Sequence, residues 1–530
     1  MINLTKTKAL AAILLLWGAI YLPNLGSEEL IGTEDIRVPV AAEMLDDGDY
    51  IMPHFGGEEY YNKPPGYQWL IAGSFVLTGQ RTELAARLPS VVFMLAAAAM
   101  IILMPGSWPE LPGRTLAAVA LLCGVGLTNA GRRAQIEAPY VCLTAMALIW
   151  WLCTYAADRS RWLVWIPTAL FLAFGALLKG PIHGVVFYAM VVCVLAYQRR
   201  LRELLSPAHL AGVAVILFIC LGWVFWAYHR SNAGGQMLGT WLTQWVVRVH
   251  PDQEHATPWV RNVSLAFVDW MPWMLLMPAL WLRPVTSLVP PERVPFFKGM
   301  RLALVICFVA INAMPATLAR YSLPVYPLGC LVLGYVLSLH HGLLPTDKIW
   351  RIVLEVAALG CAGLAVAGLI VFSTAPEAWL ALAAALAVAV ALAWKARKLQ
   401  GGLALGLATS AVMAVGVLQY SAFRTPFQPE KLRPVARQLN AALPQGQELC
   451  VYQPRRQALM FYLRPPKRYL LTPEQITPSV NYLIIRTDLL DTPDIAARLA
   501  GRSPKTIATY QDYRKRDCLL LEIAPVAGSQ

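Results

Sequence analysis

Between residues 33 and 67 the chain concentrates side chains that could do chemistry. Thr33-Glu34-Asp35-Ile36-Arg37 sets two carboxylates and a guanidinium at the start of a helix-like stretch. A positioned carboxylate can take a proton from a hydroxyl as a general base. The same residues also make an ordinary helix start, where acidic side chains meet the positive end of the dipole. His54 follows, and then Glu58-Glu59-Tyr60-Tyr61-Asn62-Lys63-Pro64-Pro65-Gly66-Tyr67. The two prolines stiffen the backbone behind Lys63, which suits an ammonium held against a phosphate at a bilayer surface. The plain alternative is a snorkelling lysine among interfacial aromatics. Three further polar insertions interrupt apolar sequence: Arg132-Arg133 with Glu137-Ala138-Pro139, then Lys179-Gly180-Pro181, then Arg320-Tyr321-Ser322-Leu323-Pro324. Ionisable groups at membrane edges are costly and tend to mark function.

The elements that must position these groups are membrane helices. Of 530 residues, 57% are hydrophobic and 14% charged, against about 25% charged in a soluble domain. The apolar residues fall into about thirteen blocks of spanning length: 9–24, 86–105, 114–131, 138–156, 162–178, 181–198, 208–228, 263–282, 302–318, 322–340, 351–373, 377–394 and 402–421. The net charge of +13 sits at the ends of these blocks, as the positive-inside rule expects, and accompanies no nucleic-acid module. Nucleic acid is therefore not an expected partner. Placing the N-terminus inside collects Arg159, Arg161, Arg199, Arg200, Arg202, Arg293, Lys298 and Arg301 in the cytoplasm. The polar insertions then share the outer face. Lys6 and Lys8 ahead of the first apolar block resemble a signal peptide. No clean cleavage pattern follows, so the block reads as a retained first helix.

Two outer segments, 23–85 and 229–262, are too long for simple connections. In the first, residues 34–45 read as a helix with Thr33 as N-cap and Gly48 past its end. Residues 67–77 are apolar but short, which suits an interfacial helix. The division expected is a membrane domain over 1–422 and an exported tail over 423–530. The tail mixes β-type runs at 449–452, 482–485 and 519–523 with helical stretches at 431–443 and 493–500, a small α/β domain. Cys450 and Cys518 each fall in one of these runs, and would pair as a disulfide if the strands were neighbours. Two buried thiols are the equal alternative.

In order and spacing these motifs resemble the bacterial protein-mannosyltransferase-like branch of the GT-C glycosyltransferases, and within it the aminoarabinose–lipid A transferase group. The resemblance runs through Glu34, Asp35 and Arg37, Glu43-Met44-Leu45, Gly48-Asp49, His54, Tyr60, Lys63-Pro64-Pro65, Arg87-Leu88-Pro89-Ser90, Glu137-Ala138-Pro139, Lys179-Gly180-Pro181 and residues 320–327. It implies a polytopic α-helical membrane protein of GT-C type with a periplasmic α/β domain. Glu34 would be the catalytic carboxylate, with Asp35 and Arg37 holding its geometry. Lys63 would bind the donor phosphate, helped by Tyr60, Arg248 and Tyr321. His54, Asn62, Glu137, Lys179 and Arg320 would support the site. Two positions depart from the family pattern: Glu34 stands where Asp is usual, and Asn62 where Glu precedes the Lys-Pro pair. His250 and His255 near Arg248 lack ligand spacing, so neither a metal nor another cofactor is expected.

The activity implied is inverting transfer of a sugar from a polyprenyl-phosphate carrier to lipid A or another envelope glycolipid, at the periplasmic face of the inner membrane. A protein hydroxyl is the alternative acceptor. A transporter or flippase of lipid intermediates is the rival from another class, but it would show internal repeats and helices broken near the midplane. A lipid-binding scaffold without activity is a third reading.

Overall fold

In lipid every backbone polar group must be satisfied within its own segment, so apolar blocks of spanning length fold as helices. The computed structural model describes residues 4–106, 108–231, 234–249, 258–339, 345–371, 376–396, 402–427, 430–454, 458–512 and 516–524. Helix stands at each of the expected blocks. Among the described residues, eight helices are long and apolar enough to cross a membrane, and up to nine if one bent pair counts as a span. Their outward faces carry bare apolar side chains. In the helix Pro207–Arg230, Phe218 is 81% exposed, which fits contact with lipid tails rather than water.

Three blocks differ from the sequence reading. The expected span 114–131 is a pair of helices, Leu111–Leu122 and Val125–Gly131, bent by 65°. Gly124 between them is extended, and the Val125 N–H leaves the helical ladder to donate to the Met271 carbonyl at 3.0 Å. The expected span 263–282 is two pieces, an α-helix Trp259–Asp269 and a 3-10 stretch Trp273–Trp281. Pro272 lies between them, and a proline both lacks a donor and clashes with the preceding turn. The expected span 302–318 begins earlier, at Val294, and ends at Asn312.

The chain forms two compact units. The first comprises Met1–Leu25, Arg87–His229 and Ala233–Phe427, and holds the membrane helices. The second comprises Gly26–Ala86, Arg230–Asn232 and Gln428–Gln530. The first outer segment thus belongs with the tail, where the sequence boundaries had joined it to the membrane helices. Glu29 explains part of this. Its carboxylate accepts the backbone N–H groups of Lys431, Leu432 and Arg433 at 2.6–3.1 Å. It so caps the tail helix Leu432–Ala442 from a position some 400 residues away. Glu83 adds an ion pair with Arg433 at 2.6 Å and accepts the Tyr462 hydroxyl at 3.0 Å.

In the second unit the helix Glu34–Asp47 is followed by a short hairpin, β1 (His54–Phe55) and β2 (Glu58–Glu59), and by the helix Gly66–Thr78. The tail carries β3 (Leu449–Tyr452), β4 (Lys467–Leu470), β5 (Tyr482–Arg486), β6 (Pro504–Gln511) and β7 (Asp517–Ile523) in one sheet of order β4-β3-β5-β7-β6. β3 pairs in parallel with β4 and β5, while β7 runs antiparallel to β5 and β6. The strands missed in the sequence, β4 and β6, are the two edges. Edge strands carry polar and charged residues that mask the apolar signal. Cys450 and Cys518 do not pair. β5 separates their strands, a gap of roughly 10 Å, and the two thiols sit in the apolar layers on opposite faces of the sheet. A disulfide needs Cα atoms within about 7 Å, and both cysteines are free.

Candidate active site

The acidic pair opens the helix Glu34–Asp47. A tight turn precedes it, in which the Glu34 N–H donates to the Ile31 carbonyl at 3.3 Å. Thr33 occupies the N-cap position but does not cap with its side chain, contrary to expectation. Its backbone is already helical (φ −78°, ψ −12°), a geometry unlike the extended one that aims a capping hydroxyl at the first free N–H groups. Gly48, at φ +72°, closes the helix as expected.

Glu34 is fully buried and accepts the Ile31 N–H at 3.2 Å through Oε2. Asp35 is half-buried, and its Oδ1 lies out of solvent with no hydrogen-bond partner. Burial, with the negative charges of Glu34 and Glu29 nearby, pushes the Asp35 carboxyl up to about 7. A group poised near neutral pH can both hold and release a proton there. Arg37, two positions on, donates from Nη1 to the Tyr60 hydroxyl at 2.5 Å and lies over the Tyr60 ring. Tyr60 is 2% exposed and packs with Val40 and Phe55.

The segment carrying Tyr60 to Lys63 is aimed by a residue that the motif reading quoted without a role. Glu43 is buried, and its two oxygens accept the N–H groups of Gly56 and Gly57 at 2.8 and 2.7 Å. Those glycines turn the hairpin at φ +66° and +78°, where a Cβ would be strained. Burial pushes the Glu43 carboxyl up to about 7 against the pull of the two amides. His54 Nδ1 stands 3.5 Å from Asp47. Asn62 and Lys63 are half-buried ahead of Pro64 and Pro65, which lead into the helix Gly66–Thr78.

The first unit gathers a second constellation. Lys179 Nζ is 3.0 Å from Glu137 Oε1, and Arg320 Nε is 3.7 Å from the same oxygen. The Lys179 ammonium lies over the Tyr140 and Tyr321 rings, at 5.7 and 5.4 Å from their centroids. Four residues singled out in three separate stretches of sequence, Glu137, Lys179, Arg320 and Tyr321, are thus neighbours. Arg248 falls in the helix Gly234–Val249. Its side chain, and the whole of His250 and His255, lie outside the described residues. Among the described residues no group of three or more His, Cys, Asp or Glu side chains could hold a metal ion.

Glu29, Glu43, Glu83 and Arg433 shape the second unit without having been assigned a role from sequence. Glu43 sat inside a recognised motif, which was a usable signal. Glu29, Glu83 and Arg433 make their contacts across more than 300 positions, and nothing local announces them.

Residues 62–226 match the family described as dolichyl-phosphate-mannose-protein mannosyltransferase. An undecaprenyl phosphate-alpha-4-amino-4-deoxy-L-arabinose arabinosyl transferase of Pseudomonas aeruginosa (strain UCBPP-PA14) is 27% identical over 72% of this chain and 67% of its own length. The protein of that name from Pseudomonas paraeruginosa is 27% identical over 62% of this chain and 58% of its own length. The crystal structure of ArnT from Cupriavidus metallidurans bound to undecaprenyl phosphate aligns with a TM-score of 0.73 at 18% identity, over 99% of both chains. That likeness carries the fold across the membrane helices, the first outer segment and the tail. The likeness to that family's model is thus confined to residues 62–226, within a multi-pass membrane fold shared over the whole chain with the solved structure.

Proposed function

We propose that this protein is an inverting glycosyltransferase that moves a sugar from a polyprenyl-phosphate carrier to an envelope glycolipid of the lipid A class. The observation that carries the reading is the acidic pair. Glu34 is buried beside Asp35, whose carboxyl has a partnerless oxygen and sits near neutrality. Such a pair suits proton handling at an acceptor oxygen. In the reaction the acceptor oxygen bonds to the anomeric carbon from the face opposite the phosphate. The bond from that carbon to the phosphate oxygen breaks, and polyprenyl phosphate leaves with the electron pair. Glu34 takes the hydroxyl proton, or orients the acceptor where it is already an ionised phosphate. Lys63 holds the donor phosphate as charge builds on it, the moment at which a preorganised cation stabilises most.

The sugar is a 4-amino-4-deoxy pentose, the class that the curated relatives are named for. The second unit faces the periplasm, in keeping with the basic short loops of the opposite side. A reporter fused after Phe427 should behave as exported, and a cytoplasmic signal there would reverse the orientation. The function is tested by mass spectrometry of envelope lipids from a deletion strain. Loss of an amino-pentose from glycolipid supports the reading. Unchanged lipids with loss of a sugar from exported proteins would move the acceptor to a protein hydroxyl.

A further inference from the structure

The second unit contains a cavity of about 480 Å³, within the range of small-ligand sites. The helix Glu34–Asp47 forms one wall through Pro39, Ala42, Glu43 and Asp46. Their i, i+3, i+4, i+7 spacing puts them on one helix face. The tail forms the other walls, with the aromatic residues Phe461 and Tyr469 in the lining. Charge is uneven across the lining. Arg81, Arg433, Arg437, Arg464 and Lys467 face the carboxylates Glu43, Asp46 and Glu83.

Each of those carboxylates is already engaged. Asp46 pairs with Arg81 at 2.6 Å, Glu83 pairs with Arg433 at 2.6 Å, and Glu43 holds the two hairpin amides. Arg437 shares Glu430, outside the lining. Arg464 forms no ion pair among the described residues, while the Lys467 ammonium donates to the Leu463 carbonyl at 3.1 Å and feels the Asp46 and Glu43 carboxylates. An unpaired guanidinium with an ammonium in the same cavity suits an anion, and guanidinium groups match phosphate geometry. Aromatic residues in the same lining suit a saccharide.

We propose that this cavity holds the phosphorylated saccharide headgroup of the acceptor glycolipid, with Arg464 and Lys467 on its phosphate. The assignment rests on the acceptor class proposed above. The face that lines the cavity continues one turn back to Asp35, about 6 Å along the axis from Pro39.

The test uses the full-length protein in detergent, as wild type and as Arg464→Gln/Lys467→Gln. The probes are an acylated glucosamine disaccharide bearing phosphates, its dephosphorylated counterpart, and inorganic phosphate. Binding of the phosphorylated glycolipid and its KM in transfer should weaken roughly ten- to a hundredfold in the variant, with kcat and donor KM held. The dephosphorylated lipid should bind both proteins alike. Unchanged binding of the phosphorylated lipid to the folded variant overturns the assignment. So does full displacement by micromolar inorganic phosphate, which would make this a site for the free anion. Should the double variant melt early, the exposed Arg464→Gln alone carries the same comparison. Wild-type protein that binds the glycolipid through these cations yet transfers nothing to it would leave the cavity standing and remove the proposed activity.

Discussion

Glu137 in the first unit and Asp35 in the second are both withdrawn from water, but their surroundings differ in sign. Glu137 has an ammonium at 3.0 Å and a guanidinium at 3.7 Å on one oxygen. Asp35 has two acidic neighbours and an oxygen with no partner. Compensated charge inside a membrane protein holds helices in place, and removing one partner strands the other. Buried acidity without a partner costs stability and clusters where it does chemistry. Under the proposed function, the contrast separates a carboxylate that organises the fold from a pair that exchanges protons.

The largest effect expected falls on the acidic pair. Glu34→Gln keeps shape and removes charge, and should lower transfer by about 10²–10⁴-fold while the melting temperature and donor binding hold. A folded Glu34→Gln protein with wild-type turnover would make the pair an ordinary helix start and leave Asp35 as the next candidate. Glu137→Gln should do the reverse. It leaves the Lys179 ammonium buried without its carboxylate, and should cost on the order of 3 kcal/mol of stability, read as earlier thermal unfolding in detergent. A normal melt together with lost turnover would place Glu137 in the chemistry and erase the contrast.

A smaller effect is expected at Lys63. Lys63→Ala removes a charge-assisted contact to the donor phosphate, worth about 1.5–3 kcal/mol, so donor KM should rise roughly ten- to a hundredfold. An unchanged donor KM would take Lys63 out of the site.

A separate effect is a slope in pH. Asp35 and Glu43 both titrate near 7 in the folded protein, above the ordinary carboxylate range. Between about pH 4 and 7 the folded state therefore holds more protons than the unfolded one, and stability falls as pH rises. Their contribution is fully present below the unfolded values and is lost as pH passes 7. Glu43→Gln should flatten that fall, and an equally steep profile in the variant would show that Glu43 does not titrate there.

Much of this arrangement was legible in the sequence because it is local or periodic. Spanning helices follow from block length, the helix after Glu34 from its closing glycine though not from the expected cap, and the strands β3, β5 and β7 from apolar runs. The motifs singled out Glu137, Lys179, Arg320 and Tyr321 separately, and the fold makes them neighbours. What stayed hidden depends on contacts that no local pattern records. Glu29 caps a helix that begins at Leu432. The edge strands β4 and β6 are polar. The break at Gly124 is sealed by a bond to Met271, far along the chain. Cys450 and Cys518 sit in strands that were foreseen, yet strand order, which the sequence does not reveal, keeps them apart.

The central claim is that this chain moves a sugar off a polyprenyl phosphate, and one reconstitution tests it most directly. Purified protein in liposomes would receive undecaprenyl phosphate carrying a labelled 4-amino-4-deoxy-arabinose, with a phosphorylated glycolipid as acceptor. The account predicts label in the glycolipid, release of undecaprenyl phosphate in equal amount, and loss of both in Glu34→Gln. Intact donor with no label in glycolipid, under conditions where the protein binds both lipids, would contradict it.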